Sequence, residues 1–204
     1  MTPEAMADHV EEQTATHPAI DPGDDLLITR FQAGDEDAFR RLLERYAERI
    51  RNLVFGIFHD TDLIDDITQD VFIKAYRALP GFRFDASFYT WLYRITINHC
   101  RDIMRRQKRR NMLSLQTLLE NRDPEVTAKT AVQPQDGDTQ EWVQRGLQKL
   151  PEKYRIPVIL KDLEGCSYEE MADIMQCELG TVKSRLSRGR SMLRSWLAPI
   201  LEGY

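Results

Sequence analysis

SYEEMADIMQCELGTVKSRLSRGRSMLR, residues 167–194, holds two helical runs around a tight turn, and its reading decides the fold. Ser167 and Glu170 have capping-box spacing: the hydroxyl accepts from a free amide of the first turn while the carboxylate reaches back to the cap amide. A helix is predicted over 168–175. Ala172 stands where two steeply crossing helices leave room only for a methyl group. Met171, Met175, Cys177, Val182 and Leu186 fill the shared core. Gly180 is expected to turn the backbone into the second helix, with Thr181 at its start. In a helix-turn-helix the second helix enters the major groove, its first residues reaching base edges and its cations holding phosphates. Here those are Thr181, Lys183, Ser184, Ser187 and Arg188. The alternative is an αα-hairpin with a basic, solvated face.

Upstream, helical pattern runs from about residue 139, with Trp142, Val143, Gly146, Leu147 and Leu150 on one face. A further helix starts at Pro151, a favourable first-turn residue, and ends at Gly165. Between 35 and 58, Phe39, Leu42, Leu43, Tyr46, Ile50, Leu53, Val54 and Ile57 recur at spacings of three and four, with Gly34 and Asp35 at the start. A second amphipathic helix is predicted over 62–79, with Ile64, Ile67, Val71 and Ala75 inward, stopped by Pro80 and Gly81. After the loop PGFRFDAS a third begins near Ser87. Phe88, Trp91, Leu92, Ile95, His99 and Ile103 make its inward stripe, leaving Tyr89, Tyr93, Thr96, Asn98 and Arg101 largely off it. No segment alternates as a strand does. The fold class is all-α: two small helical domains joined by a flexible linker. The boundaries fall at 1–23 (acidic tail), 24–112, 113–138 (linker, with a short helical piece around 113–120) and 139–204.

Composition narrows the function. The chain is 42% hydrophobic and 30% charged, and no apolar run approaches the roughly 18 residues of a membrane span. The start, MTPEAMADHVEEQ, lacks a secretory pattern, so a cytoplasmic location is expected. Cys100, Cys166 and Cys177 form no CxxC pair and no even framework, so no metal, cofactor or disulfide is expected. The net charge of −5 hides a segregation of sign. Every charged side chain in 1–25 is acidic, and the tail could shield a basic surface. Residues 101–110 carry Arg101, Arg105, Arg106, Lys108, Arg109 and Arg110 against Asp102 alone. Lys183, Arg185, Arg188, Arg190 and Arg194 form a second basic cluster.

FYTWLYRITINHCRDIMRRQKRR, residues 88–110, joins aromatics to the first basic cluster. Duplex DNA offers no free base face, whereas a melted strand offers one per nucleotide, each worth roughly 1 to 3 kcal/mol of stacking. Rings beside arginines therefore fit melted DNA. They also fit a core, which is the reading taken for Phe88 and Trp91, and for the other rings composition leaves the two readings even. An enzyme is not expected: there is no Gly-rich phosphate loop and no HxE with PCxxC, and Asp65, Asp66 and Asp70 read as a docking or solvated face. A stand-alone duplex-binding regulator remains the competing reading, though it leaves FYTWLYR without a task.

DLIDDITQDVFIKAYRALPGFRFDASFYTWLYRITINHCRD (62–102) resembles region 2 of the bacterial extracytoplasmic-function (ECF) sigma factors of the sigma-E type. LQKLPEKYRIPVILKDLEGCSYEEMADIMQCELGTVKSRLSRGRSMLR (147–194) resembles their region 4. The likeness spans roughly 24–112 and 139–197. It implies a transcription initiation factor that binds core RNA polymerase, docking on the clamp helices of its largest subunit and the flap of the second largest. Asp66, Gln69, Asp70 and Lys74 fall at the clamp-docking positions. It further implies that the loop 82–87, through Phe82, Phe84, Asp85 and Ser87, holds a base flipped from the melted non-template strand at the −10 element. Flipping costs a few kcal/mol, so a shaped pocket is required. Tyr89, Trp91, Arg94, Asn98 and Arg101 fall in the −10 recognition helix, with Asn98 as base discriminator. The −35 duplex contacts fall on Thr181, Lys183, Ser184, Ser187 and Arg188. Lys183 and Ser187 depart from the Arg and aromatic frequent in sigma-E types, which leaves the promoter sequence open. An anti-sigma factor is the expected regulator, with the location cytoplasmic or held at the inner membrane.

As a coil, the linker of about 26 residues averages roughly 28 Å and reaches about 85 Å extended. Promoter elements about 20 base pairs apart lie roughly 70 Å from each other. Engaging both draws the linker out. In the free chain the domains are expected to pack together or be clasped by the anti-sigma factor, hiding both basic surfaces.

Overall fold

A computed structural model describes residues 23–120 and 139–201, with the side chains of 113–120 left aside. The acidic tail with its expected shielding role, and residues 121–138 of the linker, lie outside them. Among the described residues every element is helical: α1 (Gly23–Gln32), α2 (Glu36–Phe58), α3 (Thr61–Ala78), α4 (Phe88–Glu120), α5 (Thr139–Lys149), α6 (Glu152–Val158), α7 (Tyr168–Met175) and α8 (Leu179–Leu201).

Helices α2 and α3 start where an aspartate can cap them. Asp35 and Asp60 each accept from the amide two residues on, satisfying one of the free first-turn donors. Gly34 makes the turn into α2 at φ +99°, and α2 ends at His59 in the left-handed region. Leu42, Ile50, Leu53, Val54 and Ile57 of α2 are fully buried against α3 and α4. Leu79–Gly81 form a single 3-10 turn that ends α3, as Pro80 and Gly81 require.

Helix α1 is additional to the helices predicted from sequence. Leu27, Ile28 and Phe31 bury its inner face, and Asp24, 3% exposed, accepts from Tyr46 and pairs with Arg45. Helix α4 runs on without a break to Glu120, so the short helical piece expected around 113–120 at the start of the linker continues α4.

In the C-terminal half, α5 and α6 pack on α8. Gly146 lets α5 approach Leu193 and Trp196; Gly189 of α8 lies against the Tyr154 carbonyl. Pro157 removes one intrahelical donor from α6, which widens into a π turn over Ile159–Leu163. Gly165, at φ +69°, then redirects the chain into α7.

The two halves share one continuous core. Helix α4 packs on α7, and α2 on α5 and the π turn. Gln148 donates to the Gly56 and Ile57 carbonyls at 3.3 and 3.2 Å, and Arg155 to Ile57 at 2.7 Å. Carbonyls in the last turn of α2, which have no partner within their own helix, are thus satisfied by the other half.

Candidate nucleic-acid interface

The helix-turn-helix forms over the expected residues. Ser167 accepts from the Glu170 amide at 3.1 Å, and the Glu170 carboxylate accepts from the Ser167 amide at 2.8 Å. The turn is made by Gln176, at φ +54°, and not by Gly180, which lies inside α8. The α7 cap, one residue past Met175, is where the chain must reverse. Met171, Met175, Val182 and Leu186 are buried, with Ala172 and Cys177 packed against them.

Lys183, Ser184, Ser187 and Arg188 lie exposed on α8, with Thr181 half-buried at its first turn. Ser184 donates to the Thr181 carbonyl at 3.0 Å. The Lys183 ammonium stands 5.5 Å from the Tyr168 ring, a cation–π contact linking α8 to α7. Arg188 and Lys153 beside the Tyr154 phenol lower its pKa. Arg190 is committed elsewhere: its guanidinium grips the Asp162 carboxylate through two nitrogens.

On α3, Asp66, Gln69, Asp70 and Lys74 form one exposed face. Asp70 shares its carboxylate with His99 of α4 at 3.2 Å, and burial holds the His99 pKa below its usual value. Beside Gln69 opens an apolar groove of about 690 Å³, walled by Phe39, Leu43, Phe72, Ile73 and Tyr76. The signal for it in the sequence is Ile73 and Tyr76, apolar residues outside the α3 stripe, which remain 40 and 41% exposed.

The loop 82–87 folds back on α4. Phe82 is buried with its ring 5.3 Å from Trp91, while Phe84, at φ +61°, is 43% exposed. Arg83, Asp85, Trp91 and Arg94 line a polar cavity of about 330 Å³ at this corner. Trp91, read as core, is half-exposed and forms its wall. Ser87 accepts from the Thr90 amide at 3.1 Å and starts α4.

Along α4 the tyrosine rings, which composition leaves open between melted DNA and a core, are buried. Tyr89 is 3% exposed, and Tyr93 and Thr96 are fully buried. The tyrosine ring centroids lie 4.1 Å apart, tilted by 38°, and their hydroxyls meet the C-terminal half: Tyr89 against the Cys166 thiol at 3.1 Å, Tyr93 donating to Glu164 at 2.5 Å. Thr96 donates to the Leu92 carbonyl within α4. Arg101 bonds Glu152 at 3.0 Å, whereas Asn98 is exposed. The expectation that packing hides both basic surfaces is also corrected, since Lys183, Arg188 and the cations at 105, 106 and 108–110 all remain exposed.

Residues 42–110 match the family described as Sigma-70 region 2, and residues 140–193 that described as Sigma-70, region 4. The chain is 38% identical to the ECF RNA polymerase sigma-E factor of Escherichia coli K12 over 184 residues, 87% of this chain and 96% of that one. It is equally identical to the RNA polymerase sigma-H factor of Pseudomonas aeruginosa, covering 87% of this chain and 95% of that one. Among solved structures, the sigma factor RpoE in complex with the anti-sigma factor NepR, from Bartonella quintana, is similar. It shares 28% identity at a TM-score of 0.62, over 78% of this chain and 96% of that one. Two matched regions in order, on a helical frame ending in a helix-turn-helix, leave one conclusion: the chain belongs to the ECF RNA polymerase sigma factors.

Proposed function

We propose that this protein binds core RNA polymerase and directs it to promoters by reading two elements, without covalent chemistry of its own. The observation that carries this is the presence in one chain of two dissimilar readers: an exposed Lys183–Ser184–Ser187–Arg188 face on α8 and a base-sized polar cavity at loop 82–87. The first suits major-groove edges and phosphates of a duplex, and the second a single flipped base. A duplex-only regulator has no use for the cavity.

In this reading residues 24–112 are the −10 domain. Phe82, Phe84, Asp85 and Ser87 shape the base pocket, Trp91 and Arg94 form its far wall, and Asn98 extends the track along α4, joined by Tyr89 and Arg101 once the C-terminal half parts from them. Residues 139–204 are the −35 domain, with Thr181 beside the four exposed residues. Asp66, Gln69, Asp70 and Lys74 dock on polymerase, and the neighbouring apolar groove supports docking by a helical element. No helix among the described residues is long and apolar enough to cross a membrane, and we place the protein in the cytoplasm. Control by an anti-sigma factor is supported by the likeness to a sigma factor solved with one.

Run-off transcription from a randomised promoter library, with core polymerase alone and with the protein added, tests the proposal. It stands if the gain is restricted to templates sharing two spaced elements, and falls if folded, inhibitor-free protein produces none.

A further inference from the structure

The exposed face of α3 has a support that comes from another helix. His99 of α4 is buried, and its Nε2 lies 3.2 Å from Oδ2 of Asp70, a side chain that is itself 60% exposed. The other ring nitrogen, Nδ1, is buried without a hydrogen-bond partner among the described residues. The charged groups around the ring are Asp70 and Lys74 on α3 and Asp102 on α4, and burial favours the neutral imidazole.

These surroundings fix the tautomer. A proton on Nδ1 would be a buried donor with no acceptor, and would leave the Nε2 lone pair facing a carboxylate. The proton therefore sits on Nε2, which donates to Asp70. As a core filler alone the ring is a poor choice, because an apolar side chain of similar size would bury no unpaired nitrogen. What the histidine adds is a donor that reaches from the core to an exposed acid.

The consequence falls on Lys74. Asp70 and Lys74 stand four residues apart with the acid N-terminal, the helical arrangement that favours an ion pair. Yet among the described residues no ion pair joins them: Asp70 is turned to His99, and Lys74 remains exposed. One Asp70 oxygen is engaged by the imidazole, and the other is left for a partner. Two charges already paired with each other would have to separate before either met a partner. A carboxylate held in place also loses less side-chain freedom on binding.

We propose that His99 is a positioning residue for polymerase docking. Its Nε2–H holds the Asp70 carboxylate away from Lys74 and presents the free oxygen to a guanidinium or ammonium group of the polymerase. His99 acts through Asp70 and touches no partner itself. The proposal rests on the assignment of Asp66, Gln69, Asp70 and Lys74 to the docking face.

The test uses the full chain. Binding of dye-labelled protein to core polymerase gives a dissociation constant, and run-off transcription at saturating protein gives a plateau. His99→Phe removes the donor and keeps a ring, whereas His99→Gln keeps an amide donor. We expect His99→Phe to weaken binding about tenfold with the plateau unchanged, and His99→Gln to stay within about threefold of wild type. The His99→Phe step should shrink to about twofold or less in Asp70→Asn, which has lost the acid, and in Lys74→Ala, which has lost the competing cation. Long-range proton–nitrogen NMR of the wild type should find His99 protonated on Nε2 alone at neutral pH.

A proton on Nδ1 overturns the positioning role, and that reading stands whether or not His99→Phe folds. Unchanged binding by folded His99→Phe, or a tenfold step that persists in Asp70→Asn or Lys74→Ala, overturns it as well. So does a loss that His99→Gln fails to rescue or that comes with a lower plateau, since a purely structural role would behave in that way. If Asp70→Asn itself binds core polymerase as wild type does, the docking assignment falls instead.

Discussion

Gly56 of α2 faces Ile159 of the π turn so closely that a Cβ on Gly56 would stand 3.4 Å from the Ile159 side chain. That is ordinary contact for a methyl group and too little for anything longer. Gly56→Ala should be accommodated, and should raise stability by up to about 1 kcal/mol through helix propensity. Gly56→Leu should force the halves apart. Small-angle scattering should show an unchanged radius of gyration for the first and a clear increase for the second, with circular dichroism unchanged in both.

Packing should respond to pH through Glu164. Burial raises its pKa, against the opposing effects of the Tyr93 hydrogen bond and the Arg49 charge. Closing the halves therefore takes up a proton. The contribution is fully present below the ordinary glutamate value of about 4.5 and is lost as pH rises through the raised value. Footprinting of Tyr89 and Tyr93 should show tighter closure on mild acidification, and Glu164→Gln should flatten that response.

Gly189 allows α8 to touch α6: a Cβ there would stand 2.7 Å from the Tyr154 carbonyl oxygen and equally close to Val158. Backbone cannot yield as a side-chain tip can. Gly189→Ala should cost about 1 to 3 kcal/mol despite its better helix propensity, lowering the urea midpoint measured for the C-terminal half.

Ser167→Ala removes one member of the capping box and should cost about 1 kcal/mol, with Ser167→Asp close to wild type. Denaturant titration of the three proteins checks this.

Lys183 and Arg190 are both basic residues of α8, yet their substitutions should read differently. Lys183→Ala should reduce the salt slope of duplex binding by about 1, as expected for one lost phosphate contact. Arg190→Ala, which breaks the Asp162 pair instead, should leave the slope nearly unchanged. Binding titrations at several salt concentrations separate the two.

What the sequence revealed and what it withheld divide along physical lines. The capping box, the α7 span and the exposed face of α8 were legible because caps and helical periodicity act within a few residues. The turn residue was misplaced because Gly180 is the obvious candidate for a left-handed backbone, whereas the structure puts Gln176 there. Helix α1 was missed because its apolar residues occupy barely three turns, and its anchor, Asp24, is a buried acid paired 21 and 22 residues away. Tyr89 and Tyr93 stayed open between core and melted DNA because periodicity tells which face of α4 is apolar, not how many partners cover it. Tyrosine is ambiguous in that respect, having a ring that packs and a hydroxyl that must find an acceptor.

The unbroken run of α4 to Glu120 leaves only residues 121–138 to join it to α5. A tether of that length keeps each half at an effective concentration in the millimolar range for the other. Any contact between α4 and α7 with an intrinsic dissociation constant below that concentration is then mostly made, and made again quickly after each separation. Doubling the tether would cost closure only about 0.6 kcal/mol. Polymerase and DNA therefore compete with a neighbour that never diffuses away, and the contest is decided by contact quality at Tyr89, Tyr93 and Arg101.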